Sequence, residues 1–453
     1  MTTRSGTDRT ALVLPTDEGR ERPRRSWRLR RWGRLLLPFV LAAASLVAAP
    51  GTASAAVPSK FIIEGSGYGH GVGMPQYGAY EMSRRGSSAT GILAHYYRNT
   101  AAAVKSTDAL IDVQVYGPDP YNYAGYGDTA ATRVTVRDGG WRLRAGEQTV
   151  ASGPAGTLGV STSKGDVVVR TPSGRTIRRE RMVLQWAGTP YFNPTAGPAT
   201  VTIDRAHGSY RYGRLVLSAS EGVPNIVNRL RLNTQYLYGL AEMPASWGTA
   251  GGQQALRAQA VVARSYAVLK TAQWKAACGC DVVDDVRDQQ FSGWKHASGF
   301  ASEYWRDAVD STTTSLTSGS VLTYGGRPVA THYYSSSGGR TANTEDVWSS
   351  VVPYERSVAD PYSKAAPGNT YASWRRGISQ ARAQDLFGVS WQVASIKVTQ
   401  KYSSGQARTL VATSPSGVTK TITGKADQIR AKVGAKTNAG NVPSAWFEDI
   451  HPG

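Results

Sequence analysis

The chain has 453 residues with 52 lysines and arginines against 32 aspartates and glutamates, a formal net charge of +20, and only two cysteines. At 40% hydrophobic residues over this length it can close a core without staples, so the composition excludes a small disulfide framework and a disordered polymer. The basic balance points to an acidic partner, but no block of five or more like charges follows residue 55, so nothing argues for nucleic acid.

Residues 1–34 hold ten arginines and four acidic residues, and the apolar run LLLPFVLAAASLVAA follows from Leu35 to Ala49. Fifteen apolar residues are short for a membrane span, Pro50 and Gly51 close the run, and Ala53-Ser54-Ala55 offers the small residues a signal peptidase reads. Residues 1–55 are therefore expected to be a signal peptide cleaved after Ala55, with a retained anchor as the alternative. Its loss removes +6 and leaves a mature chain of +14 out of the total +20. A secreted chain of that charge is expected at the cell wall, among anionic wall polymers, with no membrane span after cleavage.

Residues 56–105 carry GSGYGHGVGMPQYGAYEMSRRG and then GILAHYYRNT. Glycines at 65, 67, 69, 71 and 73 alternate with Ser66, Tyr68, His70 and Val72, so an extended chain would leave one face open to close backbone approach, as a saccharide groove requires. Short helices are expected from Met74 through Gln76, Tyr77 and Tyr80, and again from Gly91 to Tyr97. Residues 106–205 alternate LIDVQVY, TRVTVRD, GDVVVRT and RMVLQW with the turn words GPDP, DGG and PSG, which reads as a β-rich accessory region of hairpins without a catalytic constellation.

Residues 206–450 form the expected core region, built around Gln235 to Lys270. From Gln253 onward Ala255, Leu256, Ala258, Val261, Val262, Ala263, Tyr266, Ala267 and Leu269 are apolar around most of a helix, which predicts a buried helix. Glu242 stands ahead of it, and Pro244 disfavours helical geometry at Met243, so this carboxylate is expected in an ordered turn at the helix's N-terminal side. The fold class expected is β-rich α+β. Arg257 and Arg264, seven apart, share a helix face; they would hold Glu242 or substrate oxygens, or form structural ion pairs.

The words YLYG, AEMP and ALRAQAVVARSYA resemble the core of the stage II sporulation protein D family, whose relatives include amidase enhancers. GHGVGMPQYGA is similar to a second word of that family, with Pro75 in place of the usual serine and the word at the N-terminal side, as a circular permutation with neighbouring chain ends would place it. ATHYYSSSGGRTANTEDVW, from Ala330, is similar to a third. The resemblance implies a lytic transglycosylase acting on the MurNAc–GlcNAc strands of peptidoglycan, with Glu242 as its acid and base. It equally admits a non-catalytic wall-binding protein that enhances an amidase. It implies glycan-binding roles for His70, Gln76, Tyr77, Arg257, Arg264, Ser335, Ser336, Ser337 and Glu345. Ordinary turn chemistry is the alternative for the three serines, and helix capping for Glu345 and Asp346. Trp348 and Tyr354 could stack on pyranose faces.

CGCDVVDDVRDQQFSG, residues 278–293, is partly similar to a cysteine-containing stretch near which some family members hold structural zinc. Cys278 and Cys280, one residue apart, are a poor spacing for a mutual disulfide, and the plainer reading is two free or partly buried thiols. No catalytic cofactor or metal is expected. A serine hydrolase is the weaker reading, because no G-x-S-x-G word occurs.

Overall fold

Runs of β-branched residues in 110–231 make strands, and the extent of their burial tells which lie inside. The computed structural model describes residues 57–453 other than 124 and 349; the expected signal segment lies outside the described residues. Val223–Arg231 is buried almost continuously, the mark of a strand covered on both faces. It pairs antiparallel with Arg214–Ser220 on one side and Leu110–Tyr116 on the other. Arg181–Trp186, Trp141–Ala145 and Gln148–Gly153 extend the sheet one way, and Val282–Val283 joins its other edge in parallel, giving seven strands. The expected boundary at 205/206 therefore runs through a sheet, because strands from both sides of it pair with one another. A six-stranded sheet, including Thr132–Arg137, Gly156–Ser163 and Asp166–Arg170, buries Val134, Val136, Leu158, Val160, Val167 and Val169 in the same core as Leu143, Leu184 and Leu217.

Helices α1 (Gln76–Arg84), α2 (Ala89–Tyr96), α3 (Gln253–Thr271), α4 (Trp294–Ala297) and α5 (Ser302–Asp310) add to these sheets. Among the described residues strands far outnumber helices, so the class is a strand-rich α+β. Ser88 starts α2 by accepting the Gly91 N–H at 3.1 Å. No glycine or proline interrupts α3, and its small residues Ala255, Ala258, Ala260, Ala263 and Ala267 are buried where α1, α2 and α5 approach. Burying an alanine or valine side chain there gives roughly 1–2 kcal/mol at 25 cal/mol per Å² of apolar surface.

The chain's described ends meet. Lys60–Gly65 lies between Trp374–Ser379 and Phe447–Pro452, with Phe61 opposite Ile378 and Pro452. Phe61, Ile63, Trp374, Ile378, Phe387 and Phe447 form a second core beneath this sheet. Adjacent termini are what a permuted domain needs.

Two expectations are corrected here. The glycine word is not extended: Gly67, Gly69, Gly71 and Gly73 take φ between +75° and +117°, so it coils as a loop after the strand ends at Gly65. At Gly73 a Cβ would stand 2.0 Å from the His332 carbonyl oxygen, which only glycine permits. Cys278 and Cys280 are joined as a disulfide with Cα atoms 5.2 Å apart, inside the range a bridge requires, because the turn at Gly279 (φ +57°) folds one back on the other. Neither sulfur is then a thiolate that could hold zinc. Among the described residues no helix is long and apolar enough to cross a membrane.

Candidate active site

Glu242 lies in a bend between Leu240, which bridges to Phe291, and a 3-10 turn, Ala245–Ala250, that leads into α3. Pro244 (φ −59°, ψ 119°) is extended, and its ring disfavours helical geometry at Met243, so the bend stays out of the helix. Three neighbouring contacts fix the backbone. The Ala241 N–H donates to the Gln290 carbonyl at 2.8 Å, and Gln76 Nε2 donates to the Glu242 carbonyl at 2.9 Å. Ser83 Oγ on α1 donates to the Gly251 carbonyl at 2.6 Å.

The carboxyl itself is set by opposed influences. Burial pushes its pKa above the ordinary glutamate value, while the Gln290 N–H and the Tyr333 hydroxyl pull it back down. The Gln290 N–H donates to Glu242 Oε1 at 2.6 Å. Tyr333 belongs to a relay: Tyr236 donates to Gln289 Oε1 at 2.8 Å, which turns the Gln289 amide so that Nε2 donates to the Tyr333 oxygen at 2.9 Å. With its oxygen accepting, the Tyr333 proton is left for the Glu242 carboxylate. Gln289 and Tyr236 are fully buried, so this relay is rigid. Among the described residues no carboxylate is among the groups that shift the Glu242 pKa.

Tyr77, beside Gln76, sets its ring 4.9 Å from Trp247, which stacks on Tyr80 at 4.4 Å. Tyr68, 41% exposed, stacks on Tyr371 at 4.3 Å. Aromatic faces of this kind pack well against the C–H faces of pyranose rings. His70 accepts the Val72 N–H at Nδ1 (3.0 Å), so its Nε2 carries the proton toward the Tyr333 carbonyl at 3.1 Å. Burial, helped by neighbouring His332, pushes its pKa down to about 3 and keeps it neutral. Its role is to brace the strand bearing Tyr333. Trp348 packs against His70 and His332 at 5.0 and 4.7 Å, and Tyr354 against Tyr324 at 5.5 Å.

Other predicted site residues do not gather at Glu242. Arg264 is fully buried and donates to Asn233 Oδ1, Thr312 Oγ1, Thr313 Oγ1 and the carbonyls of Ser320 and Val309. Surrounded by neutral acceptors, it has a pKa pushed down to about 10 by burial and ties α3 to α5 and its neighbours, out of reach of a glycan. Arg257 pairs with Asp307 on α5 at 3.2 Å. Ser336 and Ser337 are buried; Ser337 donates to Asp360, and Ser336 accepts from Asn369 at 2.8 Å. Ser335 lends its carbonyl to the Tyr77 N–H at 2.9 Å. Glu345 is held by both terminal nitrogens of Arg356 at 2.7 and 2.6 Å. Sequence reasoning passed over Tyr333, Gln289, Gln290 and Tyr236. Tyr333 stood inside the quoted ATHYYSSSGG word and Gln289 inside DDVRDQQ, but the serines and cysteines there drew the reading.

The family model described as Stage II sporulation protein (SpoIID) matches residues 220–324, which include Glu242, α3, Gln289 and Gln290. Stage II sporulation protein D of Bacillus subtilis (strain 168) is 29% identical over 213 residues, 44% of this chain and 57% of that protein. The same-named protein of Bacillus amyloliquefaciens is 31% identical over 143 residues, 29% of this chain and 40% of the relative. An amidase enhancer of B. subtilis is 35% identical over 123 residues, 26% of this chain and 14% of that protein. The chain thus spans little more than half, or less, of the length of these relatives, and no solved structure matches it. Over residues 220–324 the chain is thus similar to the stage II sporulation protein D family.

Proposed function

We propose that this protein is an exported lytic transglycosylase that cuts the glycan backbone of peptidoglycan, with Glu242 as acid and then base. The likeness to stage II sporulation protein D and to an amidase enhancer supports a cell-wall role; the cutting activity is our reading. The observation that carries it is a single desolvated carboxyl under two opposed influences. Burial favours the neutral acid, which can protonate the glycosidic oxygen as the bond to MurNAc breaks. The Gln290 N–H and the Tyr333 hydroxyl favour the carboxylate that remains. That carboxylate then takes the proton of the C6 hydroxyl as its oxygen closes on the anomeric carbon of the same sugar, leaving a 1,6-anhydro end. The tethered nucleophile supplies proximity, so one carboxyl suffices where a glycosidase needs two across the bond. Tyr77, Trp247, Tyr68 and Tyr371 would carry neighbouring sugars on their ring faces. Mass spectrometry of digested glycan tests the reading: 1,6-anhydro ends are expected, and reducing ends would make the protein a hydrolase.

A second reading has its own support. The relative called an amidase enhancer favours a wall-binding protein that works beside an amidase. Binding to glycan without any cleavage, together with faster turnover by an added amidase, would establish it.

A further inference from the structure

The positive charge of the chain is concentrated. Within residues 132–214 thirteen lysines and arginines stand against five aspartates and glutamates, a net +8 that is more than half of the +14 on the expected mature chain. This stretch precedes residues 220–324, which the family model matches, and neither functional reading uses it.

The six-stranded sheet displays part of that charge on its outer face. Along Thr132–Arg137 the buried Thr132, Val134 and Val136 alternate with Arg133, Thr135 and Arg137, so the arginines point away from the core. Arg133 lies opposite Gly159 on the next strand, and Gly159 lies opposite Arg170 on the one beyond. Two strand spacings put the two arginines about 10 Å apart at their Cα atoms, a gap their side chains can close over one anion. Gly159 is the floor between them, in a cleft of about 530 Å³ that Ser161 and Arg205 also line. Arg205, at φ +70°, is held by the Tyr116 hydroxyl, with its guanidinium 5.5 Å from that ring. Arg170 is exposed and meets no acidic side chain among the described residues. Arg133 pairs with Asp204 at 2.7 Å, but the two are 71% and 47% exposed, and such a pair exchanges readily for another anion.

Protection of a sheet edge is the plain reading of surface arginines, and it suffices for Arg178 and Arg179 on the outermost strand, Thr176–Arg179. It does not cover Arg133 and Arg170, whose strands are paired on both sides. No aromatic ring lines the cleft, so a sugar or a nucleobase finds nothing there to stack on. Forked donors beside a hydroxyl, over an open floor, suit the two free oxygens of a phosphodiester.

We propose that the outer face of this sheet binds a polyol-phosphate polymer of the cell wall, with Arg133, Arg170 and Arg205 gripping a phosphodiester group over Gly159. The proposal rests on the wall location in the reading above and not on glycan cleavage, and it gives the accessory region the work of holding the chain at the wall.

Calorimetry of the protein with soluble poly(glycerol phosphate) tests this and needs no catalysis. Binding is expected, weakening as salt rises, and Arg170→Gln with Arg205→Gln should weaken it about tenfold at unchanged Tm, as expected for two charge-assisted contacts at a surface. Lys397→Gln with Lys432→Gln removes the same charge from exposed positions elsewhere and should cost less than about twofold. No binding, an equal loss in the lysine pair, or duplex DNA bound as tightly at matched phosphate concentration overturns the proposal. If the double arginine variant melts lower, Arg170→Gln alone decides, with a loss of about threefold expected and no loss refuting it. Polymer binding without glycan cleavage would drop the transglycosylase reading and leave this surface standing; cleavage without polymer binding would do the reverse.

Discussion

Glu242→Gln separates the chemistry of the candidate site from its architecture. The amide keeps the shape of the carboxyl and an oxygen to accept the Gln290 N–H, now at 2.6 Å, so the bend should persist. What is lost is a proton that can leave and return. A positioned acid or base contributes about 10²–10⁴ in rate, and Glu242 is asked to be both, so cleavage should fall by about 10³ or more, or about 4 kcal/mol of barrier. Stability should move the other way. The folded-state pKa lies above the ordinary 4.5, so the stability linked to protonated Glu242 is complete below 4.5 and is lost as pH rises through the folded value. At pH 7 the charge is therefore a burden, worth about 1.4 kcal/mol for each pKa unit of elevation. Glu242→Gln should raise the Tm at pH 7 and leave it nearly unchanged at pH 4. Anhydro-end counting gives the rate and paired thermal melts give the stability. A variant that keeps a tenth of the activity, or that melts lower at pH 7, would refute the reasoning.

Tyr333→Phe removes a donor that lowers the Glu242 pKa, so the alkaline limb of the pH–rate profile should shift to higher pH while the rate falls about tenfold; an unmoved limb would detach Tyr333 from the acid. Gln289→Leu strands the hydroxyls of Tyr236 and Tyr333 and should cost about 2–4 kcal/mol in chemical denaturation. Arg264→Lys keeps the charge but cannot reach five acceptors, so stability should drop by about 3 kcal/mol with kcat of the folded protein preserved. A selective loss of kcat there, at unchanged Tm, would return Arg264 to the site.

What could be read in the sequence was local. Pro244 beside Glu242 announces a turn, and nineteen residues without glycine or proline announce α3, because both signals lie in neighbouring positions. Partners distant in sequence were hidden: Gln76 and Glu242 are 166 positions apart, and Gln290 lies 48 beyond Glu242. The serines of ATHYYSSSGG illustrate the difficulty. A hydroxyl-rich loop reads alike whether it faces a ligand or satisfies its own protein, and only the buried Asp360 carboxylate, 23 positions from Ser337, decides for the second. Arg264 failed for the same reason, since a helix face says nothing about whether carboxylates or carbonyls will cover it. The glycines misled because alternation fits an extended strand and also a loop of positive φ, and the choice falls to the His332 carbonyl pressed against Gly73. The poise of Glu242 follows the same logic. The acid, the amide that steadies its anion and the hydroxyl that lowers its pKa come from residues 242, 290 and 333, so the property that would make this carboxyl catalytic exists only once three separate segments have packed.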